Sequence, residues 1–262
     1  MNLFKITILL FSLLFLNSLF AEEPTPSEIT FTHEDENAYP WVLPDGTGID
    51  IEMMKILEKK INIKIKLQKY PWKRCLELMK SNVVDGAFAS SFKTERLEMG
   101  HYPTKEDGNI DNSKNIHYSG YSLYILRTSN LEWDGKAFKN LTGKIGIQSG
   151  FSIADKLKSL NVQIDEETKS IENNFNKLIK NRIQGLALQT ARADFVLSKN
   201  KEFSNKIIKY SVDIESKPYF LMLSFDFVKK YPNLSKKIWK SIENIRNSKE
   251  YKDKVEDFLS KD

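Results

Sequence analysis

Three short polar clusters each follow a small, apolar run and precede a stretch of helical periodicity. They are Ser90-Ser91 after Phe88-Ala89, Ser149-Gly150-Phe151-Ser152 after Ile147-Gln148, and Gln189-Thr190 after Leu188. Small polar groups at strand-to-helix junctions, outside the carboxyl ends of strands, suit a site for a small polar molecule. No catalytic constellation can be assigned: the three histidines, His33, His101 and His117, lack metal-ligand spacing and are expected on the surface. No Ser-His-Asp or paired-carboxylate arrangement is legible, and only Asp35 or Glu36 stands as an acid for a cleft. Cys75 is the single cysteine, which excludes an internal disulfide and a Cys-built metal site. It flanks the helical stripe Trp72, Leu76 and Met79, so a buried, inert thiol is expected.

The elements that position these clusters read as two successive α/β units. In the first, Glu28 to Thr32 has a strand-like core, and Pro44-Asp45-Gly46-Thr47-Gly48 is turn chemistry. Asp50 is expected to cap a helix carrying Ile49, Met53, Ile56 and Leu57 on one face, and Ile61, Ile63, Ile65 and Leu67 alternate as a strand. Pro71 opens a helix over 72–80, Val83 to Ala89 is a short buried strand, Thr94-Glu95-Arg96 begins another helix, and Tyr121 to Leu126 is a strand. The second unit has strands at 144–148, 162–164 and 185–188, with helices opened by Ser152, Ser170 and Thr190. Strands at 207–210 and 219–223 follow, then helices over 232–247 and 249–259. Alternating strands and helices of this kind predict an α/β fold with mostly parallel sheets covered by helices, in two lobes with a cleft between them.

Composition and address agree with an exported globular protein. The chain has 262 residues, 40% apolar and 29% charged, which excludes a disordered chain. The net charge of +5 comes from lysines interleaved with acids, the pattern of a solvated surface, and no nucleic-acid partner is expected. Residues 1–21 read as a cleavable secretory signal: Lys5, the apolar run Ile6 to Leu16, then Asn17-Ser18-Leu19-Phe20-Ala21. An uncleaved anchor is the alternative; no cysteine follows the run to carry a lipid.

Four segments together resemble the family-3 periplasmic solute-binding proteins, the polar amino-acid binders of ABC importers. They are Tyr39-Pro40-Trp41 with Gly48-Ile49-Asp50-Ile51-Glu52, then Pro71-Trp72-Lys73-Arg74 with Val84-Asp85-Gly86, then Lys93-Thr94-Glu95-Arg96, and Gly146-Ile147-Gln148-Ser149-Gly150-Phe151-Ser152. The resemblance implies the type II two-lobe periplasmic-binding-protein fold. It implies lobe 1 at 22–124 plus 216–262, lobe 2 at 125–215, and a hinge near 121–126 and 216–221. It gives Arg96 the role of carboxylate anchor, Ser90, beside Ser91, that of a ligand hydrogen-bond partner, and Ser152 with Gly150 that of a second cradle. Tyr39, Trp72 and Phe151 match positions that line or lid the ligand; for Trp72 and Phe151 core packing is the open alternative, and for Trp41 packing is the expectation. The ammonium side departs from the family pattern. Asp35 lies near the first expected acid, but Gln189 stands where a second Asp is expected, so a carboxylate without an ammonium, or a polar amide, enters as a ligand. Lys93 also stands where a Thr is common.

The resemblance further implies a monomer in the periplasm, no cofactor, no catalysis, and an ABC permease or a membrane sensor as partner. A dehydratase-like enzyme on the same fold is the rival reading, together with ligand sensing without transport.

Overall fold

Alternation of buried and half-buried residues makes β1 (Glu28–Glu34), which buries Ile29 and Phe31 completely. The computed structural model of the protein describes residues 23–260, so the expected signal at 1–21 lies outside the described residues. β2 (Lys64–Tyr70) pairs parallel with β1 from Glu28↔Lys64 to Glu34↔Tyr70 and forms one edge of the sheet. Its lysines at 64, 66 and 69 discourage further pairing there. Between the two strands, α1 (Ile49–Ile61) lays Met53, Met54 and Leu57 into the core. Its first N–H groups are taken by the preceding turn: Ile49 N donates to Pro40 O at 3.0 Å and Asp50 N to Trp41 O at 2.9 Å. A Cβ on Gly48 would sit 2.3 Å from Trp41 O, so only glycine permits this approach. Asp50 therefore does not cap the helix; it lies inside the first turn, completely buried, with its side chain free to turn elsewhere.

The chain continues through α2 (Trp72–Lys80), β3 (Gly86–Ser91), a 3-10 turn at Thr94–Glu98 in place of the expected helix, and β4 (His117–Leu126). A small hairpin of β5 (Glu132–Trp133) and β6 (Phe138–Lys139) precedes β7 (Ile145–Gly146), α3 (Ile153–Ser159) and β8 (Ile164–Asp165). Then come α4 (Ile171–Ile179), β9 (Gly185–Gln189), α5 (Thr190–Lys199), α6 (Lys201–Lys206) and β10 (Ile207–Leu223). α7 (Phe225–Lys230), α8 (Pro232–Asn247) and α9 (Lys249–Leu259) follow. Helices α1 to α4 are each followed by an asparagine at positive φ, namely Asn62 (56°), Asn82 (53°), Asn161 (56°) and Asn181 (54°). Asparagine tolerates this left-handed stop, which turns each helix back toward the next strand.

Among the described residues, eight strands form one sheet in the order β2-β1-β3-β10-β4-β9-β7-β8. The parallel pairings β2–β1, β1–β3, β9–β7 and β7–β8 lie on the two flanks, as expected. The centre is antiparallel, because β4 and β10 run through both flanks. β10 is one continuous strand of 17 residues where the sequence suggested two short ones. Apolar packing divides along the sheet. One core gathers Phe31, Met53, Leu57, Phe88, Leu223 and Ile242. Two others, on opposite faces of the second flank, centre on Leu123, Ile145 and Leu157 and on Phe175, Leu186 and Phe203. The fold is the mixed α/β fold expected, a sheet with helices on both faces.

Candidate functional site

The site is laid out by strand register. Tyr219 of β10 stands opposite Ser91 of β3 on one side and opposite His117 of β4 on the other. Residues directly opposite in a ladder project to the same face, so these three form a row. The β3–β10 ladder slips by one residue beside Ala89, whose φ of +58° is unusual for a residue with a Cβ. Such a bulge re-aims the side chains after it and is a mark of functional sites. The row lines a cleft partly open to solvent.

At one end lies Arg96, only 3% exposed. Its Nη1 donates to Ser91 O at 2.7 Å and to Ser91 Oγ at 3.2 Å, and Nη2 donates to Gly150 O at 3.1 Å. The Trp72 ring lies under the guanidinium, with its centroid 5.1 Å from Cζ. Ser91 Oγ and Ser152 Oγ share a hydrogen bond of 2.7 Å. Ser152 stands before α3 but makes no side-chain cap bond, because its hydroxyl turns to Ser91 instead. Ser91 and Arg96 thus meet Gly150 and Ser152, more than fifty positions further along the chain, at one point. Trp72 and Phe151 both line the cleft.

At another wall, Arg192 in the first turn of α5 donates through Nη1 to Glu34 Oε2 at 2.7 Å and to Gln189 Oε1 at 3.0 Å. Its Nε donates to Asn37 O at 3.2 Å, and its Cζ lies 5.3 Å from the Phe151 ring centroid. Burial pushes the Glu34 carboxyl up from its ordinary range, against the pull of the Arg192 guanidinium. Gln189 Nε2 donates to the Tyr219 hydroxyl at 2.7 Å, and that hydroxyl shares a 2.9 Å bond with the Tyr121 hydroxyl. Burial raises both phenols, so they stay neutral. The Gln189 amide is therefore engaged at both ends.

Other expected site residues lie off the cleft wall. Ser90 shares a 2.9 Å bond with the Tyr102 hydroxyl and also meets Met222, because the bulge turns Ser91, not Ser90, toward the cleft. Asp35 and Glu36 are each 3.1 Å from Lys169 Nζ. Tyr39 stacks on Phe195 with centroids 4.4 Å apart. Cys75 is buried as expected, and burial pushes its thiol up to about 11.

Two expectations are corrected. Trp41 was expected to serve packing alone, yet it also lines the cleft. The histidines were expected on the surface, but His33 and His117 are 8% and 7% exposed and both line the cleft, while His101 is exposed. His117 Nδ1 lies 2.9 Å from Asp50 Oδ1, and its ring lies between Trp41 (3.7 Å, 3°) and Tyr219 (5.1 Å, 16°).

Sequence reading missed Glu34, Arg192, His117, Tyr121 and Tyr219. Arg192 follows Gln189 by three residues at a helix start, a spacing that places both on one face. Nothing local marks His117 or Tyr219, whose neighbours are set by cross-strand register. Among the described residues no group of His, Cys, Asp or Glu could hold a metal ion, and no helix is long and apolar enough to cross a membrane.

Comparison with curated protein sequences gives no significant match. Solved structures are similar in fold. The GluR0 ligand-binding core from Nostoc punctiforme, in complex with L-glutamate, has a TM-score of 0.64 at 17% identity, covering 86% of this chain and 96% of that one. An ancestral arginine-binding protein bound to glutamine has a TM-score of 0.68 at 16% identity, covering 90% and 99%. A histidine kinase sensor domain with similarity to periplasmic binding proteins has a TM-score of 0.71 at 11% identity, covering 88% and 96%. The sequence profile of one family spans residues 32–261, nearly the whole of the described chain, and by that match the protein belongs to the bacterial extracellular solute-binding proteins, family 3.

Proposed function

We propose that the chain is an exported, monomeric binding protein that closes two lobes around a small polar ligand carrying a carboxylate and delivers it, in the periplasm, to an ABC permease. The lobes are residues 22–124 with 216–262 and residues 125–215, and β4 and β10 form the hinge between them. Binding rather than catalysis is the role, and Ser91, Arg96, Gly150, Ser152, Trp72 and Phe151 make the primary contacts.

One observation carries the reading. Arg96 is 3% exposed, yet among the described residues it has no carboxylate partner, whereas Arg192 on the same cleft is matched by Glu34. A buried charge is costly without its opposite, and a guanidinium offers a donor fork suited to two carboxylate oxygens. None of the Arg96 bonds to protein uses Nε–H, so a donor remains for a ligand. Among the described acids nearby, Asp35 and Glu36 are held by Lys169 and Glu34 by Arg192 through Oε2, which leaves Glu34 Oε1 buried without a hydrogen-bond partner. Arg96 thus supports a carboxylate on the ligand, and an α-ammonium would have to share a Glu34 already paired with Arg192.

Ligand sensing is the second reading, supported by the likeness to a histidine kinase sensor domain. Native mass spectrometry of the purified protein, followed by calorimetric titration of small acids and amino acids, tests the proposal. A bound small acid, displaced on dilution and rebound with 1:1 stoichiometry, is expected. Tight binding only of cations or neutral sugars refutes it.

A further inference from the structure

We propose that the stacked Trp41 and His117 side chains form a second polar contact for the ligand, one that selects a hydroxyl or a carboxamide at the end remote from Arg96. The inference rests on the reading of Arg96 as the carboxylate anchor and adds what the rest of the ligand must be.

The tautomer of His117 follows from its partner. Nδ1 lies 2.9 Å from Asp50 Oδ1, and an ionised carboxylate can only accept, so the proton of a neutral ring resides on Nδ1. In that neutral ring Nε2 is an acceptor, whereas an imidazolium paired with Asp50 would make it a donor and favour glutarate in the titration below. Nε2 is buried and has no hydrogen-bond partner, on a side chain only 6% exposed. Trp41 Nε1 can only donate, and it too is buried without a partner. The two rings lie 3.7 Å apart and 3° from parallel, and both line the cleft. Two stacked, cleft-lining rings thus each carry a polar atom without a partner, an acceptor on one and a donor on the other, and buried polar atoms of native proteins are nearly always paired.

Chemistry narrows the occupant. An ammonium group can only donate and leaves Trp41 unpaired. A carboxylate can only accept and meets the lone pair of His117 Nε2. A hydroxyl or a primary amide both donates and accepts, so it satisfies both rings. The sheet sets the span. His117 and Ser91 flank Tyr219 in register, two strand spacings apart, about 10 Å between backbones before the side chains reach inward. An acid of a few carbons with its polar group at the far end fits between the two. The contact is also rigid: Asp50 is held in the first turn of α1, and its N–H donates to the carbonyl of Trp41 itself.

Calorimetric titration with five-carbon acids that share one carboxylate end tests the proposal. The probes are pentanoate, 5-hydroxypentanoate, the monoamide of glutarate, glutarate and 5-aminopentanoate, with L-norvaline, L-glutamine, L-glutamate and L-ornithine as α-amino counterparts. The hydroxy acid or the monoamide is expected to bind the wild-type chain at least about tenfold tighter than pentanoate, as for a site built to hydrogen-bond its substrate. Glutarate and 5-aminopentanoate gain nothing over pentanoate. The double variant Asp50→Leu with His117→Phe removes both partners of the buried pair while keeping a ring between Trp41 and Tyr219. In it the preference, read as the ratio of affinities within the series, is expected to fall to within about threefold. Where that variant does not fold, Trp41→Phe and nitrogen NMR of the wild-type histidines decide. The His117 Nε2 signal shifts with the monoamide and not with pentanoate.

Tightest binding of glutarate or 5-aminopentanoate by the wild type, or an undiminished preference in the variants, overturns the proposal and leaves the Arg96 anchor standing. Arg96→Ala is expected to weaken all members while preserving their order. If the wild type binds no member of either series, the carboxylate reading fails, and this contact with it.

Discussion

Replacing Arg96 is expected to affect binding and stability by different amounts, and the structure sets both. The guanidinium donates to Ser91 O, Ser91 Oγ and Gly150 O and lies over Trp72. Hydrogen bonds from a charged donor are worth about 1.5–3 kcal/mol each when fully buried. Here the acceptors border a cleft that water enters once the side chain is gone. The stability loss in Arg96→Ala is therefore expected to be only about 1–3 kcal/mol, at roughly 2–4 °C of Tm per kcal/mol for a chain of this size. A residue that merely faced an open cleft would leave Tm unchanged; Arg96 is buried at 3% exposure, so a loss is expected. The loss in binding is larger, about 2–5 kcal/mol for a desolvated charge pair that loses one partner, or roughly 30- to 4000-fold in Kd. Arg96→Lys keeps the charge but cannot serve Ser91 O and Gly150 O while offering a planar fork, so it falls between. Calorimetric titration with the carboxylate ligand, beside thermal melts of both variants, reads the two effects separately. Near-native affinity in a folded Arg96→Ala, with only Tm lowered, would refute the anchor and leave Arg96 a structural link to Gly150.

Three further outcomes are expected. Ligand should change tryptophan fluorescence, and because Trp72 and Trp41 both line the cleft, each Trp→Phe variant should remove part of the change and the pair nearly all; a change that survives both would place the signal at Trp133 or Trp239. Arg192→Met leaves Glu34 buried without its cation and should cost about 3 kcal/mol near neutral pH, as when one partner of a buried pair is removed. Burial already raises the Glu34 carboxyl, so its neutral form suits the fold: stability is retained below the ordinary carboxylate range and lost as pH rises through the raised value. The Arg192→Met defect in urea melts should accordingly shrink in mild acid, and a defect independent of pH would show that Glu34 finds another partner. Cys75, with its thiol raised to about 11, should resist alkylation at mildly alkaline pH in the folded chain and react on unfolding; rapid labelling of the native protein would contradict its buried placement.

Local patterning determined much of this protein. The alternation of Ile61, Ile63, Ile65 and Leu67, the stripes of the helices and the turn residues between them depend on neighbours a few positions apart, so the order of strands and helices is legible in the chain itself. The junction clusters Ser90-Ser91, Ser149 to Ser152 and Gln189-Thr190 were legible for the same reason, as was the buried state of Cys75. Tertiary structure decided which of those groups face the cleft. A one-residue bulge at Ala89 turns Ser91 inward and leaves Ser90 against Tyr102. The register of β10 brings Tyr219 beside both Ser91 and His117, residues 26 positions apart from one another in the chain. The carbonyls of Pro40 and Trp41 relieve Asp50 of capping, and its carboxylate can then hold a histidine 67 positions away. Such partners are chosen by burial: a charged or polar group removed from water must find its complement wherever the packed chain provides one, and no local spacing encodes where that is.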